Sequence, residues 1–110
     1  MTAELPIACS LSAGDLNERL AEIADLGRDA LLDVELAGRR AELRFARAPG
    51  IPQRLARIVA AESECCAFLT MTIREEGDGL LLTIAAPEGA ELVLEELVDG
   101  FRPQRQRPSR

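Results

Sequence analysis

Cysteine is the residue type with the widest chemistry in this chain of 110 residues, which has three cysteines and no histidine. Cys65 and Cys66 are adjacent, and Cys9 lies far from them in the sequence. Without histidine the chain has no Ser-His or Cys-His dyad, no imidazole general base and no His-ligated zinc or iron. Thiols and carboxylates are therefore the groups that could bind a metal ion or carry a reaction.

A carboxylate shares a predicted helix face with the two adjacent cysteines. That face is marked by an apolar stripe at helical spacing, formed by Leu55, Ile58 and Val59. Continued by three or four residues, the stripe reaches Glu62 and then Cys65 and Cys66. An ionised carboxylate on an apolar face is costly without a partner. We therefore expect Glu62 to pair with an arginine such as Arg44 or Arg74, to lie at the rim of the core, or to face a bound cation.

The local charges of this segment disfavour a reactive thiolate. The cysteine pair lies near the C-terminus of the predicted helix, whose partial negative charge opposes a thiolate, and Glu62 and Glu64 add repulsion. A soft metal ion changes the effect of these charges, since it displaces the thiol protons. The surrounding negative charge then stabilises the cationic complex. The segment is better suited to metal binding than to nucleophilic attack.

We predict a metal site whose ligands are Cys9, Cys65 and Cys66. Glu62 is predicted as a fourth ligand or as a charge beside the site. Thiolate sites select soft species such as Hg(II), Cu(I) or arsenite, and thiolate-rich sites also hold Zn(II). A structural zinc site usually has four ligands with wider cysteine spacing, so the sequence leaves the identity of the ion open.

The elements in the first half of the chain alternate between strand and helix. A short apolar run at residues 7–9 predicts a strand, and helical spacing predicts a helix over residues 13–29. Alternating residues over 32–45 predict an antiparallel hairpin. Pro52 then opens a second predicted helix, which extends to about Cys66.

The second half repeats the pattern. A second hairpin is predicted over residues 69–85, and Pro87 opens a last helix. The order β-α-β-β-α-β-β-α predicts an α+β fold, with helices covering one face of a mostly antiparallel sheet. We assign residues 1–100 to this single domain and residues 101–110 to an Arg/Pro-rich disordered tail.

The charge distribution excludes nucleic acid as a main partner. The chain has 13 basic and 19 acidic side chains, and four arginines follow the last acidic residue, Asp99. The remainder carries nine arginines against 19 acids, which repels a phosphate backbone. No apolar run approaches the ~18 residues of a membrane span, and no secretory signal is evident, so we expect a soluble cytoplasmic protein with reduced thiols.

Three segments of the chain carry a family resemblance. They are Cys9-Ser10-Leu11-Ser12, Glu62-Ser63-Glu64-Cys65-Cys66-Ala67-Phe68-Leu69 and Ala86-Pro87-Glu88-Gly89-Ala90. Together they resemble small bacterial proteins, mostly of unassigned function, that are associated with mercury and other heavy-metal resistance gene clusters. The chain departs from that pattern at Ala67, where Pro is usual, and at Ala86, where Gly is usual. Over residues 7–100 the resemblance implies a heavy-metal association through the predicted site, and it implies no known reaction.

Two other functions fit the sequence. One is an enzyme or redox protein that uses a cysteine as nucleophile or a vicinal disulfide as a switch. An enzyme that cleaves organomercurials with Glu62 as proton donor belongs to the same class. The local charges weigh against the reactive thiol that this class needs. The other is a structural or protein-interaction module whose cysteines pack in the core. Its hairpins leave a sheet face or edge that a homodimer commonly covers.

Overall fold

Three helices and four strands form the part of the chain that the structure describes. The structure, a computed structural model, describes residues 13–102 and the side chains of residues 18–102. The elements are α1 (Ala13–Ala30), β1 (Leu31–Ala37), β2 (Arg40–Ala46), α2 (Ile51–Cys65), β3 (Thr70–Glu76), β4 (Gly79–Ala85) and α3 (Glu91–Phe101). The predicted α+β class is confirmed, and the predicted order holds from α1 onward; the predicted first strand at residues 7–9 lies outside the described residues. In this part of the chain, no helix is long and apolar enough to cross a membrane.

The four strands form one sheet in the order β1-β2-β4-β3, and every neighbouring pair is antiparallel. Both predicted hairpins are present, and each closes through a two-residue turn that begins with glycine. Gly38 and Gly77 adopt φ of 61° and 60°, a conformation that side chains rarely tolerate. Glycine at these positions therefore sets the register of both hairpins.

The helices cover one face of this sheet. Alternate residues of the central strands are buried in the core that they share with the helices: Ala41, Leu43, Phe45, Leu80, Leu82 and Ile84. In β2, Arg40 before the first buried residue and Arg44 between the last two are exposed. This period of two places one face of the sheet in the core shared with the helices, as predicted; on the opposite face of β4, Leu81 is also buried, with 2% exposure.

The helices α1 and α3 approach each other at a glycine. Gly27 of α1 lies against the backbone of Phe101, and a Cβ atom built at Gly27 would lie only 1.7 Å from the Phe101 carbonyl oxygen. Phe101 is 1% exposed, and its ring packs edge-to-face on Phe45 with centroids 5.6 Å apart. The prediction that the tail begins at residue 101 is therefore wrong, because Phe101 is the last residue of α3 and belongs to the core.

Gly27→Ala is expected to lower the free energy of unfolding by about 3 kcal/mol or more, because the added methyl group would overlap backbone that cannot move away cheaply. Gly100→Ala is the matched control, since its Cβ would lie 3.5 Å from Cγ2 of Ile23, an ordinary contact distance. The control should be neutral or stabilising by about 0.5 to 1 kcal/mol, as alanine is the better helix former. Urea unfolding followed by circular dichroism measures both changes, and equal stabilities would contradict the close helix contact.

Candidate functional site

The buried face of α2 leads directly to the candidate site. Gly50, with φ of 85°, precedes the helix, and Pro52 occupies its first turn, where a missing N–H costs no hydrogen bond. The buried residues of this face recur at helical spacing: Ile51, Leu55, Ile58, Glu62 and Cys66. The predicted continuation of the stripe to Glu62 and Cys66 is confirmed.

The two adjacent cysteines have different environments. Consecutive residues on a helix point about 100° apart, so only one of the pair can lie centrally on the buried face. Cys66 takes that position and is 3% exposed, whereas Cys65 is half-buried at the margin of the core. Cys66 also ends α2, since its N–H donates to the carbonyl oxygen of Glu62 while its own φ and ψ leave the helical range.

The oxidation state of Cys65 differs from the expectation of three reduced thiols. Cys65 is disulfide-bonded in this structure. Cys66 is not its partner, because Cys66 carries a titratable thiol. The third predicted ligand, Cys9, lies outside the described residues. A site with thiolates at both Cys65 and Cys66 therefore requires reduction of the bond at Cys65.

An arginine from α1 neutralises the buried carboxylate. Nη1 of Arg19 lies 3.3 Å from Oε2 of Glu62, and the two side chains are 17% and 9% exposed. The suggested partners Arg44 and Arg74 are wrong: Arg44 pairs with Glu76, and Arg74 is exposed on β3. Burial of Glu62 is tolerated because it keeps a charged partner, as a buried carboxylate requires.

Burial and the Glu62 charge keep the Cys66 thiol protonated. Sγ of Cys66 lies 3.9 Å from Oε1 of Glu62. Burial raises the pKa of Cys66 to about 11, the negative charge of Glu62 adds to the rise, and the positive charge of Arg19 opposes it. A protonated thiol near pH 7 agrees with the prediction from the local charges, although loss of solvent is the larger cause.

Cys66 and Glu62 lie on the wall of a cavity of about 130 Å³ between α1, the end of α2 and α3. Cys66, Glu62 and Glu96 are its polar lining, and most of the rest is apolar, including Leu20 and Val93. The cavity wall therefore contains a soft sulfur atom and two carboxylates among apolar side chains. An ion or small group that entered it would meet the Cys66 thiol directly.

Of the four predicted site residues, the structure brings Glu62 and Cys66 together. Within residues 13–102, no group of three or more His, Cys, Asp or Glu residues is arranged to hold a metal ion. A third sulfur ligand would have to come from Cys9 or from a rearranged Cys65. Sequence reasoning missed Arg19, which pairs with Glu62, and Glu96, which lines the cavity, since charged residues on the remote helices α1 and α3 give no signal of these contacts.

Comparison with protein-family models finds no match to the chain, and comparison with curated proteins finds none either. The resemblance to heavy-metal resistance proteins therefore stays a prediction. What is known of the site comes from its own geometry.

Substitutions on either side of the ion pair should move the reactivity of Cys66 in opposite directions. Glu62→Gln removes a negative charge and is expected to lower the pKa of Cys66, whereas Arg19→Gln removes a positive charge and is expected to raise it. Iodoacetamide labelling at about pH 9, with Cys66 identified by peptide mass spectrometry, should be faster in the first variant and slower in the second.

Glu64→Gln is the control for this measurement, because Glu64 is exposed and lies only two residues from Glu62 in the sequence. It should leave the labelling rate of Cys66 unchanged. Equal rates in all four proteins would show that the Glu62 and Arg19 charges do not act on the thiol.

Proposed function

We propose that the protein binds a soft metal ion or metalloid, of the class of Hg(II), Cu(I), arsenite or Zn(II), through cysteine sulfur. Cys66 is the buried ligand around which the site forms, and Cys65 and Cys9 supply further thiolates in the reduced protein. Glu62 acts as an additional ligand or as a charge that stabilises the bound cation. The proposal describes binding and assigns no reaction.

The observation that carries this proposal is the pairing of the Cys66 thiol with Glu62 on the wall of one cavity. A thiol with a pKa of about 11 is a weak nucleophile at neutral pH, which weighs against covalent catalysis. The same thiol remains a good ligand for a soft ion, because such an ion displaces the proton on binding. The carboxylates of Glu62 and Glu96 then favour the cation.

The disulfide at Cys65 makes the proposed binding depend on redox state. An oxidised sulfur in a disulfide has no thiolate to offer, so the full site forms only after reduction. The predicted cytoplasmic location would supply that reducing environment. The proposed role in metal binding therefore includes a reducing, intracellular location.

A second candidate is a structural or protein-interaction module in which Cys66 only fills the core. The observation that favours it is the 3% exposure of Cys66 within the main apolar cluster. A reduced cysteine behaves there as a small apolar side chain. A homodimer would be one form of such a module.

Titration of the reduced full-length protein separates the two candidates. Reductant is removed under anaerobic conditions, and Hg(II), Cu(I), arsenite and Zn(II) are added while intact mass and ligand-to-metal absorbance are recorded. Metal binding predicts one equivalent of a soft ion with a dissociation constant of about 1 μM or lower. Cys66→Ala should abolish this binding, and Glu62→Gln should weaken it by about 10- to 100-fold, as a supporting charge does.

Glu64→Gln again serves as the matched control, with unchanged affinity expected. The unfolding midpoint of each variant shows whether the fold survives. Failure of all four ions to bind above micromolar affinity would contradict the proposal. Unchanged binding in Cys66→Ala, with a loss of stability alone, would show that Cys66 packs in the core and is not a ligand.

A further inference from the structure

A second concave surface lies along α3, and Glu96 lines both this surface and the cavity beside Cys66. It is a groove of about 320 Å³ between α3 and the strand β1, which is at the edge of the sheet. Leu36 and Leu92 form its apolar part and are 37% and 72% exposed. Glu95, Glu96 and Arg102 also line it. We call this surface the β1/α3 groove.

The charge of the groove is unbalanced within the described chain. The helix α3 contains four acidic residues and no basic residue: Glu91, Glu95, Glu96 and Asp99. Within residues 18–102, seven arginines pair with carboxylates of α1, α2, β2 or β3. No arginine of those residues forms an ion pair with Glu95 or Glu96. The groove therefore presents exposed leucines beside Glu95 and Glu96, two carboxylates that form no ion pair with an arginine of residues 18–102.

The described chain ends at this groove. Arg102, its last residue, lines the groove, and the residues that follow are Pro103-Gln104-Arg105-Gln106-Arg107-Pro108-Ser109-Arg110. That segment has three arginines and no acidic residue. Its positive charge is thus complementary to the α3 carboxylates. The segment also begins directly after Arg102, which lines the groove.

We propose that residues 103–110 of the same chain dock in the β1/α3 groove, with their arginines against the carboxylates of Glu95 and Glu96. Docking does not require a bound metal ion, although Glu96 also lines the cavity beside Cys66.

The length of the segment permits this docking. Glu95 precedes Arg102 by seven residues, which is about 10 Å along a helix that rises 1.5 Å per residue. Three extended residues cover about the same distance. A chain that reversed after Arg102 would therefore be long enough to bring Arg105 level with Glu95.

Docking would also protect the edge of the sheet. Within residues 13–102, β1 has one hydrogen-bonded neighbour, β2, so none of these residues forms a strand against its other side. Such an edge can pair with a second chain, and natural proteins commonly cover it or place charge on it. A docked Arg/Pro-rich segment does both, because proline lacks the N–H that would extend the sheet.

Backbone ¹⁵N relaxation of the full-length protein tests the proposal. At low salt, about 0.01 M, the amides of residues 104–107 should have order parameters near those of rigid backbone, about 0.85. In Glu95→Gln/Glu96→Gln they should fall below about 0.6, and about 1 M salt should have the same effect on the wild type. The control Glu64→Gln/Glu88→Gln makes the same change in net charge at exposed positions outside the groove and should keep the tail ordered.

Two results would overturn the proposal. The first is a tail that is mobile in the wild type at low salt, or whose order is unaffected by the Glu95 and Glu96 substitutions. The second is tail order that is lost on dilution, which would assign the groove to a second copy of the chain. Order that is independent of protein concentration and lost only with the groove carboxylates supports docking within one chain.

Discussion

The one-sided core is the constraint on which the rest of this structure depends. All three helices must bury their apolar faces against the same side of a four-stranded sheet, and α1 and α3 can come close enough only because Gly27 has no side chain. The stripe of α2 continues into this core, so Glu62 and Cys66 are carried into it with the apolar residues. A carboxylate is thereby forced to find a charged partner, and Arg19 of α1 provides it. The depth and chemistry of the candidate site follow from that packing.

The three groups at the end of α2 form one electrostatic unit. Burial favours the neutral thiol of Cys66, the Glu62 charge acts in the same direction, and Arg19 reduces that effect. The resulting thiol is a weak nucleophile at neutral pH, but its sulfur can still bind ions that displace the proton. The disulfide at Cys65 adds a redox condition to any site that uses both cysteines. Binding, rather than attack, is the chemistry that this arrangement favours.

Local patterns were sufficient to predict most of the fold. Alternation located both hairpins, helical spacing located α1 and α2, and the stripe predicted that Glu62 and Cys66 share a buried face. Long-range contacts were beyond such reasoning. The pairing of Glu62 with Arg19 joins residues 43 positions apart. Phe101 is followed in the sequence by a polar, Arg/Pro-rich segment, and its burial depends on its contact with the distant Phe45. The different environments of Cys65 and Cys66 depend on where α2 ends. A proline at position 67 would have marked that end in the sequence, but the residue there is Ala67.

The central claim is that cysteine sulfur of the reduced protein binds a soft ion, with Cys66 in its coordination shell. X-ray absorption spectroscopy of the reduced full-length protein with one equivalent of Hg(II) tests this most directly, since it counts the atoms bonded to the metal. The account predicts a shell of at least two sulfur atoms that loses one of them in Cys66→Ser. A shell of oxygen or nitrogen atoms, or a sulfur shell that is unchanged in Cys66→Ser, would contradict it.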